Sequence, residues 1–192
     1  MSKASKMRIF FYNWVQFDDP ENRGGGVTLY QRNLIEALIE EGHEIVFFSS
    51  GIAYNLLQKR CYIRSTKNVF GTDCKTFELV NSPVLAPSHH SFNINDASFQ
   101  DKDIASILTN FLHANGPFDI VHFNNLEGLP LSAINIKHSF PETRFVYSAH
   151  NYFAVCPQVN LWQNEARNCI DFARGQNCVS CLEHRPNQTE ER

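Results

Sequence analysis

Three consecutive glycines, Gly24–Gly26, separate a segment typical of a buried strand from a segment typical of a helix, and this arrangement constrains the fold most. Arg8–Trp14 is predominantly apolar, and Val27–Glu41 carries apolar residues at helical spacing. A second continuous apolar run, Ile45–Phe48, is typical of a parallel strand that is covered on both faces. The sequence therefore predicts a strand–helix–strand unit with a glycine loop at the start of its helix.

The same alternation continues along the chain. Thr28 with Gln31 three residues later predicts a capping box, and Gly42 predicts the end of the first helix. The further predicted elements are a helical segment Tyr54–Arg60, a strand Thr76–Val80, a surface loop Ser82–Asn95, a helix Asp101–Ala114, a strand Asp119–Phe123, a short helix Leu131–Lys137 and a strand Arg144–Ala149. This order predicts an α/β fold, a Rossmann-like doubly wound parallel sheet with helices on both faces, followed by an irregular Cys-containing segment.

Composition places the chain among globular proteins and narrows the partners. The 192 residues are 43% hydrophobic and 19% charged, which is enough for one domain with a substantial core. A net charge of −3 offers no electrostatic basis for binding nucleic acid. No apolar run has the length of a membrane span or of a secretory signal, so we expect a cytoplasmic protein, free or peripheral at the inner face of the membrane. We expect an extension over residues 1–6, the Rossmann-like domain over 7–155, and the Cys-containing segment and tail over 156–192.

A glycine loop that opens a helix is an anion site, because backbone N–H groups and the helix dipole meet there without Cβ atoms in the way. The alternatives are a turn without a ligand and an NAD site. The NAD site is disfavoured because the spacing is not GxGxxG and the second strand ends in Ser49–Ser50 instead of an acidic residue.

Other polar residues follow the predicted strands at the edge where ligands bind in such sheets. His150 comes directly after the last strand, where its imidazole is either a structural group or a hydrogen-bonding partner for a sugar hydroxyl or a transferred group. His122 lies within an apolar strand and is predicted to be a structural core residue. The remaining candidates for substrate binding at this edge are Asn124, Asn125, Glu127 and Asn151.

An ordered set of motifs resembles the opening of GT-B-fold glycosyltransferases of the family-four type. The set comprises Arg8–Trp14, Gly24–Val27, Glu41–Ile45, Asp119–Gly128 and His150–Tyr152, and the resemblance extends over roughly residues 7–182. It implies an acceptor-side Rossmann-like domain of an enzyme that transfers a sugar from a nucleotide-sugar donor to a glycan or lipid-linked acceptor in polysaccharide or glycoconjugate biosynthesis. Transfer would retain the anomeric configuration and would need no metal or other cofactor.

The resemblance also implies roles for individual residues. Gly24, Gly25 and Gly26 would contact the donor pyrophosphate, and His150 would face the donor sugar as the catalytic residue. Asn151 departs from the family, in which Asp is commoner at this position.

The family's C-terminal half, which carries the paired glutamates of the nucleotide-sugar site, has no counterpart within residues 1–192. We therefore expect the other half in a longer protein or in a partner chain, and only weak donor binding without turnover by these residues alone. The alternative function is a non-catalytic Rossmann-like module that binds a sugar, a lipid-linked glycan or a partner protein.

Four cysteines near the C-terminus follow the spacing C-x12-C-x8-C-x2-C. They are Cys156, Cys169, Cys178 and Cys181. The C-x2-C pair matches the ligand spacing of structural zinc sites, whereas the longer spacings fit disulfides or free thiols equally well. The sequence leaves zinc, disulfides and free thiols open. Cys61 and Cys74 lie outside this set and are predicted to be ordinary buried or loop thiols.

Overall fold

The computed structural model of the chain describes residues 5–67, 74–86, 101–153, 155–156, 160–163 and 166–183. Within these residues the elements are β1 (Arg8–Tyr12), α1 (Gly25–Glu40), β2 (Glu44–Ser50), β3 (Tyr62–Ser65), β4 (Cys74–Val80), α2 (Lys102–Asn115), β5 (Ile120–Phe123), a 3-10 helix (Leu131–Ser139), β6 (Arg144–Tyr147), β7 (Trp162–Gln163), β8 (Arg167–Asn168), a second 3-10 helix (Ala173–Gly175) and α3 (Gln176–Glu183). Residues 87–95 of the predicted surface loop lie outside the described residues.

Six strands form one sheet in the order β3-β4-β2-β1-β5-β6. All neighbouring strands are parallel except β3, which pairs antiparallel with β4 at one edge. The chain moves outward from β1 through β2 to β4 and then returns to the other side of β1 to form β5 and β6. This reversal between β1 and β5 opens a crevice at the carboxyl ends of the two strands, where ligands bind in open α/β sheets. The predicted α/β class with a mostly parallel sheet is confirmed, and the arrangement is compatible with a Rossmann-like fold.

The core lies on both faces of this sheet because successive side chains of each strand point to opposite sides. In β1, Ile9 and Phe11 pack on the α1 side together with the fully buried Ile35. Phe10 and Tyr12 pack on the α2 side. The buried residues that α2 contributes there are Ile104, Leu108, Phe111 and Leu112. Helices therefore cover both faces, as the continuous apolar runs of the strands predict.

The predicted capping box of α1 is wrong. The helix begins at Gly25, within the glycine loop, and its N-cap residue Gly24 has no side chain that could cap it. Thr28 and Gln31 consequently lie in the first two turns, and their side-chain polar atoms are buried without hydrogen-bond partners. The predicted C-terminal stop is confirmed by Gly42, which has a φ of +91°.

The segment after β2 also differs from its prediction. Residues 54–60 form turns instead of a helix. The chain then forms β3, a short half-exposed strand that is held by pairing with β4, for example Tyr62 opposite Val80. Local apolar spacing in Tyr54–Arg60 resembles a helical turn, but the pairing with β4 determines the conformation that follows.

The Cys-containing segment is not irregular throughout. β7 and β8 form a small antiparallel hairpin in which Trp162 is opposite Asn168, and α3 follows. Among the side chains that are described in residues 155–183, none that is apolar is buried, and Ile170 is 95% exposed. No helix in the described part of the chain is long and apolar enough to cross a membrane.

Candidate functional site

The three glycines at the N-terminus of α1 have different structural constraints. A Cβ on Gly24 would lie 1.8 Å from Thr28 Oγ1 and 2.5 Å from Val15 Cγ1, so packing within the loop requires glycine there. Gly25 has a φ of +53°, a conformation that favours glycine. Its N–H donates to the carbonyl oxygen of Asn22 at 3.0 Å, which stabilises the turn into the helix.

Gly26 is the glycine that the fold does not require. It lies in the first turn of α1, its φ is not positive, and a Cβ placed on it would have no heavy atom within 4 Å. Glycine in a helix costs about 0.5–1 kcal/mol relative to alanine. The N–H groups of a first turn have no intrahelical partner and point out of the helix end. The exposed surface at Gly26 therefore leaves these donors open to close approach by an anion.

Asp19 fixes the conformation of the loop that leads to the glycines. Its carboxylate accepts hydrogen bonds from the Arg23 guanidinium at 2.5 and 3.0 Å and from the Arg23 backbone N–H at 2.9 Å. These bonds from Arg23 lower the pKa of Asp19, whose side chain is only 3% exposed. The backbone N–H of Asn22 donates to the Asp19 carbonyl oxygen, which tightens the same turn.

Two asparagines meet at the strand reversal. Asn125, which follows β5, donates from Nδ2 to Oδ1 of Asn13, which follows β1, at 2.9 Å. Both side chains are buried, yet Nδ2 of Asn13 and Oδ1 of Asn125 have no hydrogen-bond partner in the described structure. Buried polar atoms are nearly always paired, so these two atoms mark the crevice as polar and as a place where a ligand or ordered water gains hydrogen bonds.

His150 lies between this crevice and α1. Its Nε2 is 3.2 Å from Oδ1 of Asn124, and the centroid of its ring is 5.1 Å from that of Tyr30 in α1. Nδ2 of Asn124 donates to the Tyr12 carbonyl oxygen, which orients the amide so that Oδ1 faces the imidazole. Because an amide oxygen only accepts hydrogen bonds, Nε2 of the neutral His150 ring carries the proton, and Nδ1 is free to accept a hydrogen bond.

The neutral form of both histidines near this edge is favoured. Desolvation lowers the pKa of His150. Burial lowers the pKa of His122 as well, and the neighbouring His150 lowers it further. His122 is 8% exposed and lies 2.8 Å from Ser148 Oγ, so the prediction that it is a structural core residue is confirmed.

Glu127 is a buried residue that contacts Asn151, the residue after His150. Its side chain accepts a hydrogen bond at 2.9 Å from Nδ2 of Asn151, and its backbone carbonyl oxygen accepts one at 2.5 Å from the Tyr12 hydroxyl. Burial raises the pKa of Tyr12 well above its usual value, and Glu127 adds to this effect. All four candidates for substrate binding thus lie at the predicted edge. Asn125 contacts Asn13, Asn124 contacts His150, and Asn151 contacts Glu127.

A cleft of about 290 Å³ lies beside the loop between β1 and α1. It is lined by side chains from this loop and from the carboxyl ends of β2 and β4, among them Gln16, Asp18, Arg23, Ser49 and Glu78. Nε2 of Gln16 donates to Ser49 Oγ at 2.7 Å and to the Phe77 carbonyl oxygen at 3.1 Å. The volume is near the lower end of the range of about 300–1,000 Å³ that is usual for ligand pockets.

The sequence did not reveal three contributors to these sites. Tyr30 fits the apolar stripe of α1 but is 46% exposed and contacts His150. Asn13 and the Asp19–Arg23 pair lie in the long loop between β1 and the glycines. The sequence of this loop has no periodicity from which the orientation of its side chains could be predicted. The one available signal is their position after β1, at the edge where ligands bind.

Cys169 follows the C-terminal hairpin directly, Cys178 and Cys181 lie in α3, and Cys156 precedes the hairpin. None of the described cysteines forms a disulfide. Within the described residues, no group of three or more His, Cys, Asp or Glu side chains has an arrangement that could hold a metal ion as it stands. The predictions for Cys61 and Cys74 are confirmed, because Cys74 is buried with a pKa raised to about 12 by desolvation and Cys61 is a half-buried thiol.

Comparison of the chain with protein-family models, with curated proteins and with solved structures finds no match in any of the three.

Proposed function

We propose that residues 7–155 are the acceptor-side domain of a retaining glycosyltransferase of the hexosyltransferase type, which transfers a sugar from a nucleotide-sugar donor to a glycan or lipid-linked acceptor. The observation that supports this most directly is the position of His150 against Tyr30 of α1, at the edge where that helix exposes Gly26. A diphosphate and the sugar attached to it require an anion site and a hydroxyl-binding site side by side, and this edge offers both.

In this proposal the donor diphosphate binds at the N-terminus of α1. Its charge is stabilised there by N–H groups of the first turn and by the positive end of the helix dipole, which also favours the phosphate as leaving group. The sugar lies against His150, whose neutral imidazole accepts a hydrogen bond at Nδ1 from a sugar hydroxyl. The free polar atoms of Asn13 and Asn125 provide further hydrogen bonds in the crevice.

The acceptor occupies the cleft beside Gln16 and Glu78 in this proposal. The amide, hydroxyl and carboxylate groups that line this cleft match the hydroxyl groups of a glycan. The β1–α1 loop lines this cleft and leads into the glycines at the N-terminus of α1, so in this proposal one loop contacts both substrates. The nucleotide is bound by a second domain, in a longer protein or in a partner chain, at the inner face of the membrane or in the cytoplasm during polysaccharide assembly.

Ligand-detected NMR on the 192-residue protein tests donor binding. We expect nucleotide sugars to bind with a dissociation constant of about 1 mM or weaker, with saturation transfer to the sugar protons and broadening of the phosphorus signals. His150→Ala should reduce transfer to the sugar protons, whereas His138→Ala, an exposed histidine in the first 3-10 helix, should not. Equal saturation transfer in wild type and His150→Ala would contradict the proposed role of His150.

The non-catalytic binding module is the second candidate, because the cleft alone suits a glycan ligand without any transfer. The two candidates differ in the activity of the complete protein. We expect His150→Ala to lower transfer at least about tenfold, the effect of losing about 1.4 kcal/mol of transition-state stabilisation, while glycan binding persists. A complete protein that binds glycans but turns over no nucleotide sugar would favour the binding module.

A further inference from the structure

Among the described side chains of the small C-terminal unit, no apolar side chain is buried. Within residues 155–156, 160–163 and 166–183, the chain forms a hairpin with two residues in each strand, a 3-10 turn and a helix of eight residues. Apolar side chains in this unit are largely exposed, with Phe172 at 58% and Trp162 at 41%. Units shorter than about 40 residues generally need disulfides, a metal or a partner to fold. Burial of the described apolar side chains therefore does not account for the folded conformation of this unit.

The hairpin and the helix bring cysteines to one place. Cys169 directly follows β8, and its N–H donates to the Leu161 carbonyl oxygen at 2.7 Å. The Sγ atom of Cys181, which belongs to α3, lies 3.8 Å from the carbonyl oxygen of Trp162, the residue after Leu161. Both thiol-bearing residues are thus attached to the same end of β7.

Cys178 completes the cluster from the preceding turn of α3. It lies three residues before Cys181 on the same helix, so these two side chains are neighbours on one face of α3. Cys169, Cys178 and Cys181 therefore lie together near the start of β7, and Cys156 precedes the same hairpin in the chain.

We propose that Cys156, Cys169, Cys178 and Cys181 bind one structural zinc ion, which holds the hairpin against α3. Four thiolates in tetrahedral arrangement are the typical ligand set of structural Zn²⁺, with Zn–S distances of about 2.3 Å. Each thiol transfers its proton to solvent on binding, and the zinc remains divalent. The sulfur atoms do not converge on one point as the chain stands, so binding requires rotation of partly exposed cysteine side chains about χ1.

Metal analysis of the full 192-residue protein, purified without chelator, tests the proposal. We expect about one zinc per chain, and about four additional thiols that react with a thiol reagent after chelation. Removal of zinc should make residues 155–183 susceptible to limited proteolysis while the six-stranded sheet stays folded.

Single variants identify the ligands. Cys178→Ser should lose the zinc, and Cys61→Ser, a half-buried cysteine outside the cluster, should retain it. Cys181→His, which keeps a zinc-binding side chain, should retain more zinc than Cys181→Ser, so the result does not depend on whether a serine variant folds. Wild-type protein without zinc, with iron in its place, or with disulfides among these cysteines by mass spectrometry would overturn the proposal.

Discussion

The side-chain amide of Asn151 donates a hydrogen bond of 2.9 Å to the carboxylate of Glu127, a residue that is only 3% exposed. The amide oxygen of Asn151 accepts from the backbone N–H of Phe153, so the orientation of the amide is fixed from both sides. A carboxylate at position 151 could not donate to Glu127. Asparagine at position 151 therefore has a local structural role that an ionised aspartate could not fill.

Asn151→Asp should destabilise the protein at neutral pH. It replaces a hydrogen bond by two adjacent carboxylates next to a buried site, and we expect a loss of about 1–3 kcal/mol in the free energy of unfolding. Repulsion by Glu127 should raise the pKa of the introduced carboxyl group in the folded variant, so the folded state binds more protons than the unfolded state and stability should recover on acidification. Urea unfolding at pH 7.5 and 5.5 measures this recovery.

Asn151→Ala is the matched control for this prediction, because it removes the same hydrogen bond without adding a charge. The stability difference between Asn151→Asp and Asn151→Ala should shrink as the pH falls. A difference that is the same at both pH values would show that the two carboxylates do not interact.

Gly128→Ala should be much more destabilising than Gly42→Ala. Both glycines have a positive φ, +78° and +91° respectively, so alanine adds similar backbone strain of about 1–2 kcal/mol at each. A Cβ on Gly128, however, would lie 2.1 Å from the Ser50 carbonyl oxygen, whereas a Cβ on Gly42 would have no heavy atom within 4 Å. We expect Gly128→Ala to cost more than about 3 kcal/mol by urea unfolding, and similar midpoints for the two variants would contradict the close contact with Ser50.

His122 should make the protein less stable on acidification. Its folded-state pKa lies below the unfolded value of about 6.5, so the unfolded chain takes up the proton first and stability falls as the pH drops below that value. His122→Gln keeps a hydrogen-bonding group near Ser148 but cannot titrate. Thermal unfolding between pH 7.5 and 5.5 should show a smaller loss for His122→Gln than for wild type, and parallel pH profiles would assign the effect to other groups.

The elements that the sequence predicts well are those whose signal is local. The apolar runs of β1 and β2 and the glycine at position 42 identify strands and a helix end without knowledge of the neighbours. β3 has no such signal, because Tyr62–Ser65 is short and half exposed and depends on its pairing with β4. The predicted capping box is wrong because α1 starts at Gly25, three residues before Thr28 and ahead of its apolar spacing.

The edge of the sheet at which the candidate site lies could be predicted, but the pairing within the site could not. Asn124 follows β5 and His150 follows β6, and these strands are parallel neighbours. Both residues therefore lie at the same edge of the sheet, which the predicted parallel order already implies. The contacts of Asn124 with His150 and of Asn151 with Glu127 depend on how the loops after β5 and β6 pack. The spacing of residues in the sequence does not predict this packing.

Gly26→Ala should stabilise the fold and weaken donor binding. Opposite effects on stability and on binding distinguish a glycine that serves a ligand from one that the fold requires. The helical position and open surroundings of Gly26 accommodate a methyl group, so we expect a gain of about 0.5–1 kcal/mol in the free energy of unfolding. The same methyl group would obstruct an anion that approaches the N–H groups of the first turn, and nucleotide-sugar signals in ligand-detected NMR should decrease. Gly24→Ala is the comparison variant, since its Cβ would collide with Val15 and should destabilise the fold. A stabilised Gly26→Ala protein with unchanged nucleotide-sugar binding would exclude the first turn of α1 as the diphosphate site.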